Sequence, residues 1–331
     1  MKTIIRIEVI ILVLLVLAAA TMLLLSNGVW MLLEEPVVME RQAPPIPTDA
    51  AVVAEAIPVP EETKASDQPV PPEVSAKKYF VYDVREDTYL LTKGDLQEKL
   101  YPASITKLLS VYVILQYMDP EDTVVVGDGL TLVEPDSSLA NLKEGDILTV
   151  GQLIEAMMLP SGNDAAHTAA VAAGRIIGGD SSLSPEAASE IFVAEMNKQA
   201  AALGMTGSHF VTADGFHRDD HYTTMKDLTI LSAKVLSDPT IVGYTSKISD
   251  QVALEGHTET WKNTNYLLNP EYKLHIPSTI GLKTGYTSNA GSCLISAFFR
   301  GDRLLLIGVF GCPAFTEDRY QDTAALFDAV N

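Results

Sequence analysis

The chain has 331 residues, with 43 acidic and 23 basic side chains and a net charge of −20. That acidic excess argues against a nucleic-acid binder, which carries a basic face, and two cysteines cannot make a disulfide framework or a cysteine-rich zinc site. Mean hydropathy is nevertheless +0.16, high for so acidic a chain, so some segment must hold concentrated apolar residues.

That segment comes first. Residues 9–25 are apolar apart from Thr21, and after Ser26-Asn27-Gly28 the apolar character resumes over 29–33. A membrane helix needs about 20 such residues, and Lys2 and Arg6 before the run, with Glu34-Glu35 after it, orient the N-terminus toward the cytoplasm. Residues 1–33 are therefore expected to form one N-terminal transmembrane helix that anchors the chain in the cell membrane. The competing reading is a secretory signal cleaved at Ala18-Ala19-Ala20, although this run outlasts the usual apolar core of about 7–15 residues. Both place the remainder outside the cytoplasm. Residues 34–78 hold nine of the 18 prolines and more acids than bases. Such a stretch buries too little apolar surface to fold and is expected to be a disordered, extended tether.

Residues 79–331 read as a folded domain. A strand is predicted over 79–84, turning at Glu86-Asp87 into a partner at 89–91. Leu108, Val111 and Leu115 recur at helical spacing within 104–118. Thr149 and Gln152 are placed as a capping box, and a further helix is predicted over 164–177. Ser184-Pro185-Glu186 opens a helix for which Gly204 is a suitable stop. Strands return at 293–299 and 304–310 around Gly301-Asp302, a pair suited to a type II′ hairpin turn. Thr316-Glu317 opens a last helix. Strands from both ends of the domain thus enclose a helical insertion. The expected fold is α/β, a mainly antiparallel sheet flanked by helices with a helical subdomain.

Three short motifs could carry chemistry. Ser104-Ile105-Thr106-Lys107 puts a serine and a lysine three apart on one helical face, and a desolvated lysine can lose its proton and serve as base to the serine. A second copy of the spacing, Ser75-Ala76-Lys77-Lys78, lacks an apolar helix behind it. Ser161-Gly162-Asn163 precedes the alanine-rich helix and taken alone reads as a helix cap. Lys283-Thr284-Gly285 offers a charge, a hydroxyl and a glycine that lets a ligand approach a strand; the bland alternative is an edge strand with solvated polar side chains. The ordered set S-x-x-K, S-x-N and K-T-G is the signature of β-lactamases and penicillin-binding proteins.

With their flanks, 101–107, 157–166, Met196-Asn197, 203–205, 221–228 and 281–287, these motifs resemble those of the low-molecular-mass D-alanyl-D-alanine carboxypeptidases, over essentially the whole folded part. The resemblance implies a β-lactamase/transpeptidase-like fold and a serine peptidase acting on the peptidoglycan stem peptide and acylated by β-lactam antibiotics. It implies Ser104 as nucleophile, Lys107 as base and Ser161 as the group that passes a proton to the leaving amine. Asn163 would hold the substrate amide and Lys283-Thr284, beside Gly285, the terminal carboxylate. The backbone N–H groups of Ser104 and Tyr286 would form the oxyanion hole, and Arg319 stands where an arginine often lies near the carboxylate site. Rival readings on the same fold are a β-lactamase or esterase and a penicillin-binding sensor without turnover. Glu186, Glu190 and Glu195 follow the middle motif in a continuous helix, which disfavours efficient β-lactam hydrolysis. Many family members continue into a small β-rich domain and an amphipathic anchor helix; here the N-terminal segment is expected to replace that anchor. No cofactor or metal is expected, since His217 and His221 lie in what reads as a loop. Cys293 and Cys312 are expected on adjoining strands, diagonal to one another, as buried small apolar residues more than as a disulfide.

Overall fold

The computed structural model describes residues 70–330. The N-terminal apolar run and the tether up to residue 69 lie outside the described residues, and no helix among those described is long and apolar enough to cross a membrane.

A five-stranded antiparallel sheet forms the base. Its strands are β1 (Lys78–Asp83), β2 (Thr88–Lys93), β3 (Thr279–Thr287), β4 (Gly291–Arg300) and β5 (Arg303–Cys312), in spatial order β2-β1-β5-β4-β3. Alternation along each strand sends residues to two different cores. Phe80, Tyr82, Ile295, Ala297 and Leu306 join the main core, while Tyr79, Val81, Leu294, Leu305 and Ile307 join a second, smaller one. Both faces are covered, so these strands read as near-continuous apolar runs. The β4–β5 turn pairs Arg300 with Arg303. Gly301 has φ of 58° and Asp302 is not in the left-handed region, as a type II′ turn requires.

The helices follow in chain order: α1 (Lys107–Tyr117), α2 (Val150–Met158), α3 (Asn163–Gly178), α4 (Pro185–Ala202), α5 (Met225–Leu236), α6 (Pro239–Thr245) and α7 (Asp318–Ala329). The predicted signals at α2 and α4 are present: Thr149 and Gln152 form the reciprocal capping box, and Ser184 caps α4 with Pro185 in its first turn. The smaller core is closed by Tyr320 and Leu326 of α7. The main core fills the space between the sheet and α1 to α5, with Leu108, Leu109, Val111 and Ile114 of α1 at its centre.

Four features depart from the sequence expectations. The helix expected over 104–118 is split: residues Ala103–Thr106 form a 3-10 turn and the α-helix begins only at Lys107. The folded body also begins before residue 79. Lys78 opens β1, and the backbone N–H groups of Ser75 and Ala76 donate to the Asp322 carboxylate at 3.2 and 2.7 Å. Proline-rich composition hid this, because the partner lies some 247 residues away. A hairpin at Ser249–Leu254 and His257–Lys262, absent from the sequence reading, covers the helical subdomain, where Trp261 Nε1–H donates to the Ala140 carbonyl at 2.9 Å. Finally, a bulge between Ser292 and Leu294 shifts the register so that Cys312 faces Ser292, and both cysteines are free and buried.

Candidate active site

Three separate pieces of chain meet at a cleft of about 490 Å³ whose lining includes Ser104, Ser161, Asn163, Thr284 and Tyr286. Each piece carries a non-glycine residue in the left-handed region: Ala103 (φ 49°), Ser161 (φ 65°) and Leu282 (φ 83°). Such a conformation costs about 1–3 kcal/mol per residue and persists only where the surroundings enforce it. That all three motifs contain or adjoin one marks the cleft as the place where strain is concentrated.

Ser104 sits in the 3-10 turn, where side chains three apart eclipse one another. Lys107 therefore points back at it, and its Nζ donates to Ser104 Oγ at 3.0 Å. The other two donors are also used, to Asn163 Oδ1 at 2.7 Å and to the Asp214 carbonyl at 2.8 Å. Lys107 has no exposed surface. Burial pushes its ammonium down to about 8, against the opposing pull of Asp214 and Asp164.

Asn163 opens α3, and the cap of that helix is Gly162, without a side-chain hydrogen bond. The helix-cap reading of Ser161 therefore fails: a residue at φ 65° one position before the cap turns its side chain into the cleft. Asn163 Nδ2 donates to Ser137 Oγ at 3.1 Å and its backbone N–H to the Ser138 carbonyl at 2.8 Å, which ties the 135–138 loop to the cleft wall. Asp164 holds the rest of that loop by accepting the N–H groups of Ala140 and Leu142 at 2.9 and 3.0 Å.

The third motif lies on β3, at the edge of the sheet. Gly285 faces the serine turn, and a Cβ there would lie 3.0 Å from the Pro102 carbonyl oxygen and 3.2 Å from Ser104 N. A side chain there would push the serine turn back by a few tenths of an ångström. Tyr286 follows, half exposed, its ring 5.1 Å from that of Phe315. Thr284 Oγ1 lies 2.6 Å from Thr264 Oγ1. Lys283 is not solvated, contrary to the edge-strand alternative: it is wholly buried and donates to the Thr284 carbonyl at 3.2 Å. Burial holds its ammonium well below the usual lysine range, with Lys107 and Arg319 adding repulsion. Arg319 lines the cleft, and its Nε is buried without a hydrogen-bond partner.

The sequence reading missed the 211–217 loop. Gly215, at φ +84°, would put a Cβ 1.9 Å from the Ala103 carbonyl oxygen, so the loop is pressed directly against the serine turn. His221 fixes it from one side. Burial pushes this imidazole down to about 4, although Asp214 and Asp220 favour its charged form. As a neutral ring it accepts the Val211 N–H at Nδ1 (3.2 Å), so Nε2–H donates to Thr106 Oγ1 at 2.9 Å. His167 Nε2 approaches Asp214 Oδ2 at 3.4 Å from the other side. The Asp214-Gly215 dipeptide is a turn signal, but nothing local ties it to Ser104. Glu195 of α4 binds Tyr117, Lys198 and Gln199, and none of Glu186, Glu190 and Glu195 lines the cleft.

Comparison with known proteins gives a consistent picture. The family model described as D-alanyl-D-alanine carboxypeptidase matches residues 63–313. A D-alanyl-D-alanine carboxypeptidase of Bacillus subtilis is 28% identical over 247 residues, which is 73% of this chain and 59% of the relative. The chain spans about six-tenths of the length of the first curated relatives it matches. Among solved structures, a Streptomyces DD-transpeptidase superimposes with a TM-score of 0.70 at 26% identity, covering 79% of this chain and 98% of that one. A penicillin-binding protein of Listeria monocytogenes in its cefotaxime-bound form gives 0.64 at 28% identity, covering 78% and 98%.

Proposed function

The chain belongs to the D-alanyl-D-alanine carboxypeptidase family, and on that premise we propose that it is a serine-type DD-carboxypeptidase that removes the terminal D-Ala of peptidoglycan stem peptides and is acylated by β-lactams. The observation that carries the reading is the contact of a fully buried Lys107 Nζ, lowered to about 8, with Ser104 Oγ at 3.0 Å. Near neutral pH a useful fraction of that amine is free, whereas an ordinary lysine amine is almost wholly protonated.

Ser104 Oγ attacks the carbonyl of the scissile bond as Lys107 takes its proton. The oxyanion forms at the N–H groups of Ser104 and Tyr286, where the close approach of Gly285 to Ser104 supports a paired site. Ser161 hands its proton to the departing amine of D-Ala and is reprotonated by the Lys107 ammonium, and the acyl group remains on Ser104 until water releases it. Asn163 keeps Lys107 aligned and offers its amide to the substrate. Thr284, with Arg319 and its unpartnered Nε beside it, takes the terminal carboxylate, while Lys283 braces the strand by donating to the Thr284 carbonyl. The apolar N-terminal run supports an extracytoplasmic domain tethered to the membrane. Incubating the protein with a peptide ending in D-Ala-D-Ala should release free D-Ala, and penicillin should label the peptide containing Ser104. Acylation without D-Ala release would favour a penicillin-binding sensor, and rapid penicillin turnover a β-lactamase.

A further inference from the structure

We propose that His167 is a positioning residue for this chemistry: paired with Asp214, it fixes the carbonyl that holds Lys107 and shields that lysine from the Asp214 carboxylate. The inference rests on the reading of Lys107 as the base. His167 lies one helical turn beyond Asn163 on α3, so both side chains share a face. Asn163 reaches Lys107 directly, and His167 reaches the residue whose backbone carbonyl accepts from Lys107. The His167 and Asp214 side chains are 8% and 0% exposed.

The Asp214 carboxylate is poorly provided for. Oδ1 accepts the Phe216 N–H at 3.0 Å, while Oδ2 has no hydrogen bond beyond the long approach of His167, whose own Nδ1 is also unpartnered. The charged or titratable groups acting on this carboxylate are His167, Lys107 and His221, and His221 is neutral. The other acid acting on Lys107 is Asp164, whose oxygens are occupied by the N–H groups of Ala140, Leu142 and Ala165; Lys283 is a cation of the same sign that Lys107 repels. A buried carboxylate demands a balancing partner. If Lys107 alone supplied it, the pair would hold the lysine protonated and unable to act as base. His167 sets its Nε2 against Oδ2 at 3.4 Å, so that the carboxylate has a donor besides Lys107, and this contact pins the loop so that the Asp214 carbonyl faces Nζ.

The test is the rate of acylation by a β-lactam, measured with the full chain from about pH 6 to 10, a range that spans the lysine titration. In His167→Leu the rising limb should move up by about one pH unit, an approximately tenfold loss at neutral pH, with the high-pH plateau retained. His167→Gln, which keeps a neutral donor toward the carboxylate, should shift less and serves if the leucine variant does not fold. In an Asp214→Asn background no charge remains to shield, so adding the His167 substitution should move the limb no further. A loss equal at every pH, or the same shift in both backgrounds, would overturn the proposal. A parent profile without any rising limb would remove the base assignment and this proposal together, whereas an unmoved limb in the variants alone would leave Lys107 as base and remove only His167.

Discussion

Two stretches of this chain carry the same four-residue spacing, Ser75-Ala76-Lys77-Lys78 and Ser104-Ile105-Thr106-Lys107, and the fold treats them differently. In the first, the chain is extended: Lys78 opens β1 and pairs with Glu98 at 2.9 Å, while Ser75 Oγ donates to Asp322 at 2.9 Å. Serine and lysine never meet. In the second, the 3-10 turn stacks them, the core strips the lysine of water, and Asn163 and the Asp214 carbonyl hold it against the serine. Spacing alone therefore does not make a base. A lysine becomes one when burial lowers its affinity for a proton and its remaining donors are still satisfied.

The comparison breaks most sharply at the nucleophile. Ser104→Ala should lower acylation by a factor on the order of 10⁴ or more, as loss of a serine nucleophile does elsewhere, while Ser75→Ala leaves it intact; penicillin labelling followed by peptide mapping reads both. An adduct on Ser75 would reverse the assignment.

Next comes the base. Lys107→Arg keeps the charge but cannot give it up, so acylation should fall about 10²–10⁴-fold, with Lys78→Arg near parental. In the parent the rate should rise through about pH 8, because the lysine must be deprotonated and each unit below that value removes about nine-tenths of the free amine. Stopped-flow acylation across the pH range measures this. A flat profile would mean that burial does not make Lys107 a base.

The other buried lysine sharpens the point. If Arg319 and Thr284 take the substrate carboxylate, Arg319→Leu should cost about tenfold in kcat/KM, roughly 1.4 kcal/mol, on the free-acid peptide and much less on its C-terminal amide. Lys283→Ala should weaken both substrates, because it empties a fully buried position on the strand that carries Thr284 and removes the hydrogen bond to the Thr284 carbonyl. Equal losses for Arg319→Leu on acid and amide would return recognition to Lys283.

The smallest effect falls on the first copy. Asp322→Ala strips acceptors from two backbone N–H groups and the Ser75 hydroxyl, so stability should drop by about 1–3 kcal/mol with the acylation rate unchanged. Urea unfolding alongside penicillin labelling separates the two. A fall in acylation would tie the Ser75 segment to the site.

Much of the fold was legible locally. The capping box at Thr149, the Ser184-Pro185 start and the Gly301-Asp302 turn are short-range devices whose partners lie within a few residues, so the sequence alone sufficed to place them. The hairpin at 249–262 was missed because its strands are mostly polar, and only Val252 and Trp261, the latter bonded to the Ala140 carbonyl, are buried to mark the covered face.

The site divides in the same way. From the sequence alone came the identity of the groups, a serine, a lysine and a hydroxyl-bearing strand, because the motifs are contiguous and their order is diagnostic. Tertiary structure alone decided their chemical state. Lys107 and Lys283 are both buried, yet one contacts Ser104 directly and the other donates to the Thr284 carbonyl, and the loop with Asp214, the pairing of His167 with it and the positions of Thr264 and Arg319 join residues dozens to hundreds of positions apart. Desolvation and Coulomb interaction act through space, so no window along the chain contains them; they exist once the core has closed around the lysine.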